Sequence, residues 1–223
     1  MKIGIFTAME KEAASFLRDG VTKETVGCFS VYKFALGKHD AVLCCPPSVG
    51  EIAASAACQL LITKYGVDCI LNFGVVGALT AKASVQSFVY VGDVVHYDMD
   101  TSEADGYPIG GYGCFDDVAV KCDGSLLAKA IKINPLPIVR CASADKFVGK
   151  PDAKSDLNRD FGAEICDMES AGILFACKFN NVPCLLIKCI SDSLVGGIKE
   201  YQNQVFIACE GFFQFASELA DNL

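Results

Sequence analysis

Hydrophobic and polar positions alternate along this chain between two periods, one suited to buried strands and one to helices. The apolar run in Lys2–Phe6 predicts a buried strand, and Lys11–Leu17 predicts a short helix after it. FSVYKFALGKHDAVLCC predicts a hairpin turning at Gly37–Asp40. Ile52–Tyr65 carries apolar residues at helical spacing, and VDCILNFG then reads as a continuous buried strand. SFVYVGDVVHYD is extended, Ser125–Ile133 is a helix and LPIVRCAS is another strand. Near the end, AEICDME is a short strand closing in acids. After it Met168, Ala171, Gly172, Phe175, Ala176 and Phe179 fall on one helical stripe, which Ile173 and Leu174 widen. VPCLLIKCISD is a buried strand, and Val205, Cys209, Phe212, Ala216 and Leu219 define a terminal amphipathic helix.

Repeated β–α alternation with unbroken apolar strands implies a mostly parallel sheet covered on both faces, made mixed by the hairpin. No linker, low-complexity tract or fixed-period repeat divides the 223 residues, so one domain spanning 1–223 is expected. In such sheets ligands bind beyond the carboxyl ends of the strands. Four predicted strand ends carry polar or glycine residues: Met9–Glu12, Asn72–Gly77, Asp167–Glu169 and Ser191–Asp192.

Charge and composition narrow the class. The formal net charge of −8 opposes general binding to nucleic acid or to an anionic membrane, which both need a basic face. Thirteen cysteines suggest disulfides at first sight. Their number is odd, no C-x-x-C is present, and most sit in apolar runs, as Cys69 and Cys184 do. They read as small buried hydrophobes of a reduced, cytoplasmic protein. Met1–Phe6 is too short for the apolar core of a signal peptide, and no apolar run has the length of a membrane span.

Chemistry-bearing residues are few. Of the two histidines, His39 falls in the presumed hairpin turn and is expected to be exposed. A nucleophile–histidine mechanism would need His96, and no G-x-S-x-G elbow accompanies it. His96, Asp98 and Asp100 alternate and could share one strand face as hard metal ligands, or could simply run into a solvated acidic loop. NFGVVGAL lacks both the Lys-Ser/Thr of a phosphate loop and the spacing of a dinucleotide fingerprint. Its Gly74 and Gly77 mark a tight turn or a close approach. Glu12, Glu169 and Asp192 each have an ordinary reading at a helix start or turn. Three acids at three strand ends of one sheet, however, would converge on a single cleft.

The segments KIGIFTAMEKEAASF, NFGVVGAL, DMESAGI and KCISDS occur in the order and spacing of the nucleoside phosphorylase/nucleosidase superfamily. The chain resembles most its 5′-methylthioadenosine/S-adenosylhomocysteine nucleosidase family, over essentially its whole length. The resemblance implies a three-layer αβα sandwich, usually a homodimer, that cleaves the N-glycosidic bond of an adenine thionucleoside with water and no cofactor or metal. It implies that Glu12 orients and deprotonates the water, that Glu169 holds the ribose hydroxyls, and that Met168 packs beside sugar and base. Asp192 would deliver a proton toward adenine N7, with Ser191 alongside. Phe147 would stack on the purine, the Val148 backbone would read its edge, and Met9 would line the pocket near the 5′ group. Tyr201 or Phe206 would close the pocket.

Phosphorylases of the superfamily typically present an arginine just before the glycine of NFG, where this chain has Asn72-Phe73. Without that cation, and beside Glu12, a phosphate dianion has a poor site, which favours hydrolysis. The chain also departs from the nucleosidases. Val75 replaces a serine near the water, Lys188 stands where arginine is frequent, and PPSVGE replaces S-G-[IV]-G-K. HYDMDTSEADGYPIGGYG falls where the family has a loop near the 5′ substituent and dimer interface. A phosphorylase and a non-catalytic nucleoside-binding protein are the alternatives.

Overall fold

The computed structural model describes residues 1–222; residue 223, the last of the expected domain span, lies outside the described residues. The chain begins with β1 (Lys2–Phe6), α1 (Glu10–Ala13) and a 3-10 turn at Ala14–Phe16. Then follow β2 (Thr22–Val26), β3 (Phe29–Leu36), β4 (His39–Cys45), α2 (Glu51–Tyr65), β5 (Cys69–Ala78) and β6 (Phe88–His96). The middle holds α3 (Ser102–Asp105), β7 (Val120–Lys121), α4 (Gly124–Ile133), β8 (Ile138–Ser143) and α5 (Pro151–Phe161). The last part is β9 (Ile165–Asp167), α6 (Ser170–Phe179), β10 (Cys184–Asp192), α7 (Gly197–Cys209) and α8 (Phe212–Ala220).

All ten strands among the described residues join one mixed sheet in the order β10-β6-β8-β9-β5-β1-β4-β3-β2, with β7 paired to β6. β10 also pairs with β5, so β5, β9, β8, β6 and β10 close into a ring. Five of the ten pairings are parallel and five antiparallel, so parallel pairing does not predominate as the sequence suggested. Beyond the β3–β4 hairpin, the antiparallel contacts come from β2, a charged edge strand, from the two-residue β7, from β9 where it runs back along β5, and from β10 against β6.

Continuous apolar strands bury both faces, and the period-2 alternation sorts them. Phe6, Ile70, Leu186 and Ile190 point into a core with α2 and α6. Ile5, Leu71, Leu185 and Ile187 point the other way, under α4, α7 and α8. Helix ends follow local rules. Gly66 and Gly162 terminate α2 and α5 in the left-handed conformation, at φ 61° and 65°. Asp123 caps α4 by accepting the Leu126 N–H at 2.8 Å. Pro151 opens α5, where its missing N–H is no loss.

Four expectations need correction. His39 is buried, not exposed, because the hairpin turns tightly at Gly37–Lys38 and His39 pairs with Leu36 as the first residue of β4. Gly74 and Gly77 form no turn; both lie inside β5, which runs on to Ala78. The terminal helix is two helices, broken at Glu210–Gly211. The first helix stops at Ala13 and tightens into the 3-10 turn. Among the described residues, no helix is long and apolar enough to cross a membrane.

Candidate active site

The strand ends meet around one cavity of about 320 Å³, a size suited to a small organic ligand. The β1–α1 junction contributes Met9 and Glu12, and β5 contributes Val75. The loop after β8 brings Phe147 and Val148, the β9–α6 junction Met168 and Glu169, and the end of β10 Ser191 and Asp192. Of the catalytic and substrate-binding residues expected from the resemblance, Lys188 does not line this cavity, and neither does Phe206, the alternative to Tyr201 at its mouth. Lys188 lies behind it, fully buried in β10 and pointing into the ring of strands.

Glu12 is fixed before any ligand arrives. Its Oε2 accepts the backbone N–H groups of Ala8 at 2.8 Å and Met9 at 3.1 Å, and its Oε1 accepts that of Val75 at 3.1 Å. Burial pushes its carboxyl above the ordinary value, against the pull of these donors and of Lys188. A Cβ at Gly74 would stand 3.4 Å from Lys188 Nζ and 3.6 Å from Glu12 Oε1, ordinary contact distances, so space alone does not demand a glycine there.

Behind Glu12 lies a buried charge network. Lys188 Nζ is 2.7 Å from Asp167 Oδ2, with both side chains almost wholly excluded from solvent. Burial opposes the charge of Asp167, yet Lys188 and the Ser143 and Ser170 hydroxyls hold its carboxyl below the usual range. Burial likewise opposes the charge of Lys188, and Asp167 outweighs it. Next to this pair, Glu169 accepts the Gly50 N–H at 3.0 Å and is pushed up to about 8, first by burial and then by Asp167. Glu51 is pushed up to about 7 for the same two reasons. The Ser143 hydroxyl sits between Glu51 Oε1 at 2.5 Å and Asp167 Oδ1 at 2.6 Å. One hydroxyl proton serves two carboxyl oxygens, so one carboxyl must carry its own proton, and Glu51 is the one with the raised pKa.

At the far wall, Asp192 is held from both sides. Lys154 of α5 places its Nζ 2.5 Å from Asp192 Oδ2 and donates to the Ser193 carbonyl at 2.7 Å. The Ser191 hydroxyl lies 2.9 Å from Asp192 Oδ1 and 3.1 Å from the Val76 carbonyl. Burial raises the Asp192 carboxyl, and Lys154 offsets part of that rise. The mouth is aromatic: Phe147 and Tyr201 meet edge to face with centroids 5.6 Å apart. Tyr201 lines the cavity and approaches Met9 Sδ at 3.5 Å, whereas Phe206 is 65% exposed outside it.

The histidine–aspartate run does not converge. His96 Nε2 lies 2.9 Å from Asp98 and Nδ1 lies 2.5 Å from the Tyr112 hydroxyl. Asp100 turns instead to the N–H and hydroxyl of Ser102. Among the described residues no group of three or more His, Cys, Asp or Glu could hold a metal ion.

Sequence reasoning missed Lys154, Glu51 and the network role of Asp167. Asp167 and Lys188 could have been flagged as charges inside otherwise apolar strands. Helix α5 has little apolar surface, chiefly Ala153, Leu157 and Phe161, so its stripe is faint, and Lys154 falls one turn from Leu157 on the buried side.

A fold of this topology with three carboxylates around an aromatic-mouthed cavity has close counterparts. The model of the phosphorylase superfamily matches residues 2–220, and the chain belongs to that superfamily. The relatives it matches include nucleosidases. A 5′-methylthioadenosine/S-adenosylhomocysteine nucleosidase of Aeromonas salmonicida (strain A449) is 30% identical over 202 residues, 86% of each chain. An aminodeoxyfutalosine nucleosidase of Campylobacter jejuni is 27% identical over 201 residues, again 86% of each. Among solved structures, a Helicobacter pylori methylthioadenosine/S-adenosyl homocysteine nucleosidase complexed with an aminopyrrolopyrimidine–pyrrolidinol compound superposes with a TM-score of 0.93. It is 25% identical, and the match covers 100% of this chain and 99% of that one. The resemblance read from the motifs is borne out.

Proposed function

We propose that the protein hydrolyses the N-glycosidic bond of an adenine nucleoside with a 5′-thio substituent, such as 5′-methylthioadenosine or S-adenosylhomocysteine, and releases adenine. The observation that carries this reading is the pairing of an immobilised Glu12 on one wall with Asp192 on the other. Departure of the base leaves a cation-like ribosyl centre, so the reaction needs a proton on the leaving purine and a deprotonated water at the sugar. Asp192 gives its proton toward N7. Glu12 takes one from water, and its raised pKa makes it a stronger base than an ordinary carboxylate. Glu169 and Met168 hold the ribose, Phe147 and the Val148 backbone hold the base, and Met9 and Tyr201 face the 5′ group. Lys188 acts from behind, keeping Asp167 charged and Glu12 in place.

Water is favoured over phosphate because both buried lysines near the cavity are already paired with carboxylates, Lys188 with Asp167 and Lys154 with Asp192. A phosphate dianion would meet Glu12 without a free buried cation. The working unit is one domain, assembled as a homodimer through exposed apolar residues such as Ile52, which is 83% exposed at the start of α2.

Incubation with methylthioadenosine, with and without phosphate, tests the reading. Adenine and free sugar without phosphate support it, while a sugar 1-phosphate makes the protein a phosphorylase. Tight binding without turnover makes it a sensor. Aminodeoxyfutalosine is the second substrate to assay, given the name of the Campylobacter relative.

A further inference from the structure

We propose that Lys154 is the proton source behind Asp192, so that the acid of this site is a lysine–aspartate pair. This inference rests on the nucleosidase reading above. Lys154 is 0% exposed and Asp192 2%, and their Nζ and Oδ2 atoms are 2.5 Å apart. The second Lys154 contact is to the Ser193 carbonyl at 2.7 Å, an acceptor for either form of the lysine amine. An unpaired buried lysine is costly, so its place in a weakly apolar helix calls for a reason.

The pair solves a difficulty in the chemistry. A carboxylate beside an ammonium is ionised, yet adenine needs a proton on N7 as it leaves. Within the pair one proton moves in sequence: Lys154 Nζ–H passes it to the ionised Asp192 and Asp192 passes it on to N7, leaving a neutral amine beside the carboxylate. The C1′–N9 bond breaks and its electrons stay on adenine. Water adds to C1′ and gives a proton to Glu12, which later returns one proton to the Lys154–Asp192 pair through solvent. Lysine can give up a proton to a neighbour, whereas arginine holds its proton permanently. Lys154 touches no substrate atom and acts through Asp192, as a positioning residue that also carries the proton.

The groups facing the pair are few. Glu200 and Tyr201 come from α7, with Glu200 accepting the Ser193 N–H at 2.5 Å. Cys166 comes from β9. From β5, Gly77 leaves the space open: a Cβ there would stand 3.2 Å from Asp192 Oδ2 and 3.4 Å from Lys154 Nζ.

The test compares the wild type with Lys154→Met and Lys154→Arg. Turnover of methylthioadenosine is measured against pH, and binding of its 7-deaza analogue, which lacks N7, is measured alongside. Lys154→Met should lose about 100-fold in kcat at neutral pH, with analogue binding changed less than about threefold. Its rate should recover as pH falls, when Asp192 takes a proton from solvent. Lys154→Arg should bind the analogue and remain slow, because the charge is restored without a transferable proton. Wild-type turnover in either variant would overturn the proposal, and so would a Lys154→Met pH profile parallel to that of the wild type. If Lys154→Met fails to fold, Lys154→Arg alone decides. A wild type that releases no adenine sinks the nucleosidase reading itself, and full turnover by Asp192→Asn sinks the role of Asp192.

Discussion

Replacing Glu12 by glutamine separates its structural work from its chemical work. The carboxylate satisfies three backbone donors, two on Oε2 and one on Oε1. An amide has one carbonyl oxygen. Seated on the Ala8 and Met9 N–H groups, it turns its NH₂ toward the Val75 N–H, leaving a buried donor unpaired at a cost of about 1–3 kcal/mol. The same change removes the penalty of burying a charge, so the net loss of stability should stay within about 2 kcal/mol. Catalysis should suffer far more. Loss of a general base costs about 10²- to 10⁴-fold, which is about 3–5 kcal/mol in the barrier. Initial rates of adenine release give the kinetic side, and urea unfolding with analogue binding gives the structural side. The wild-type rate should fall on the acid side as Glu12 takes up a proton, and that limb should be absent from the residual activity of Glu12→Gln. A glutamine variant within tenfold of the wild type, with binding intact, would refute the role of Glu12 as base.

Three further outcomes are expected. Gly77→Ala presses a methyl against Asp192 and Lys154, displacing the acid by a few tenths of an ångström, and should lower kcat about tenfold with little change in analogue binding. Gly172→Ala would drive a Cβ into the Glu51 carbonyl where α6 crosses the start of α2, and should cost about 1–3 kcal/mol or more in urea unfolding. Glu51 and Glu169 have folded pKa values near about 7 and about 8, above the 4.5 of a free glutamate. Between those values the folded chain holds protons that the unfolded chain has released, so stability falls as pH rises from about 4.5 through 8. The Tm should be higher at pH 6 than at pH 8.5, and Glu51→Gln should narrow the difference.

Much of the fold was legible because its strands bury both faces. Runs such as CILNF and CLLIK are short and bounded by turn signals, as buried strands are, and α4 and α6 between them keep an apolar stripe that is only faint in α5. The ring was not legible, since β10 pairing with both β5 and β6 depends on register rather than on composition. His39 misled because a polar residue just after Gly-Lys looks like turn, whereas the turn needs only Gly37 and Lys38. In the site, Glu12, Glu169 and Asp192 stand at strand ends where polar residues draw notice. Lys154 and Glu51 do not, because their roles come from partners distant in sequence: Asp192 lies 38 residues from Lys154, and Ser143 lies 92 from Glu51.

The closed ring also has a mechanical meaning. Strands β9 and β10 lead into Glu169 and Asp192 at their ends, and each is tied to two neighbours within the ring. In an open sheet the distance between such ends would vary with twist, like the ribs of a fan. Here a displacement of either strand must be accommodated by all five, so the cleft resists breathing at its floor. Motion is left to the rim, where Phe147 and Tyr201 stand on segments outside the ring. The spacing between Glu169 and Asp192 is therefore set by the ring before anything occupies the cleft.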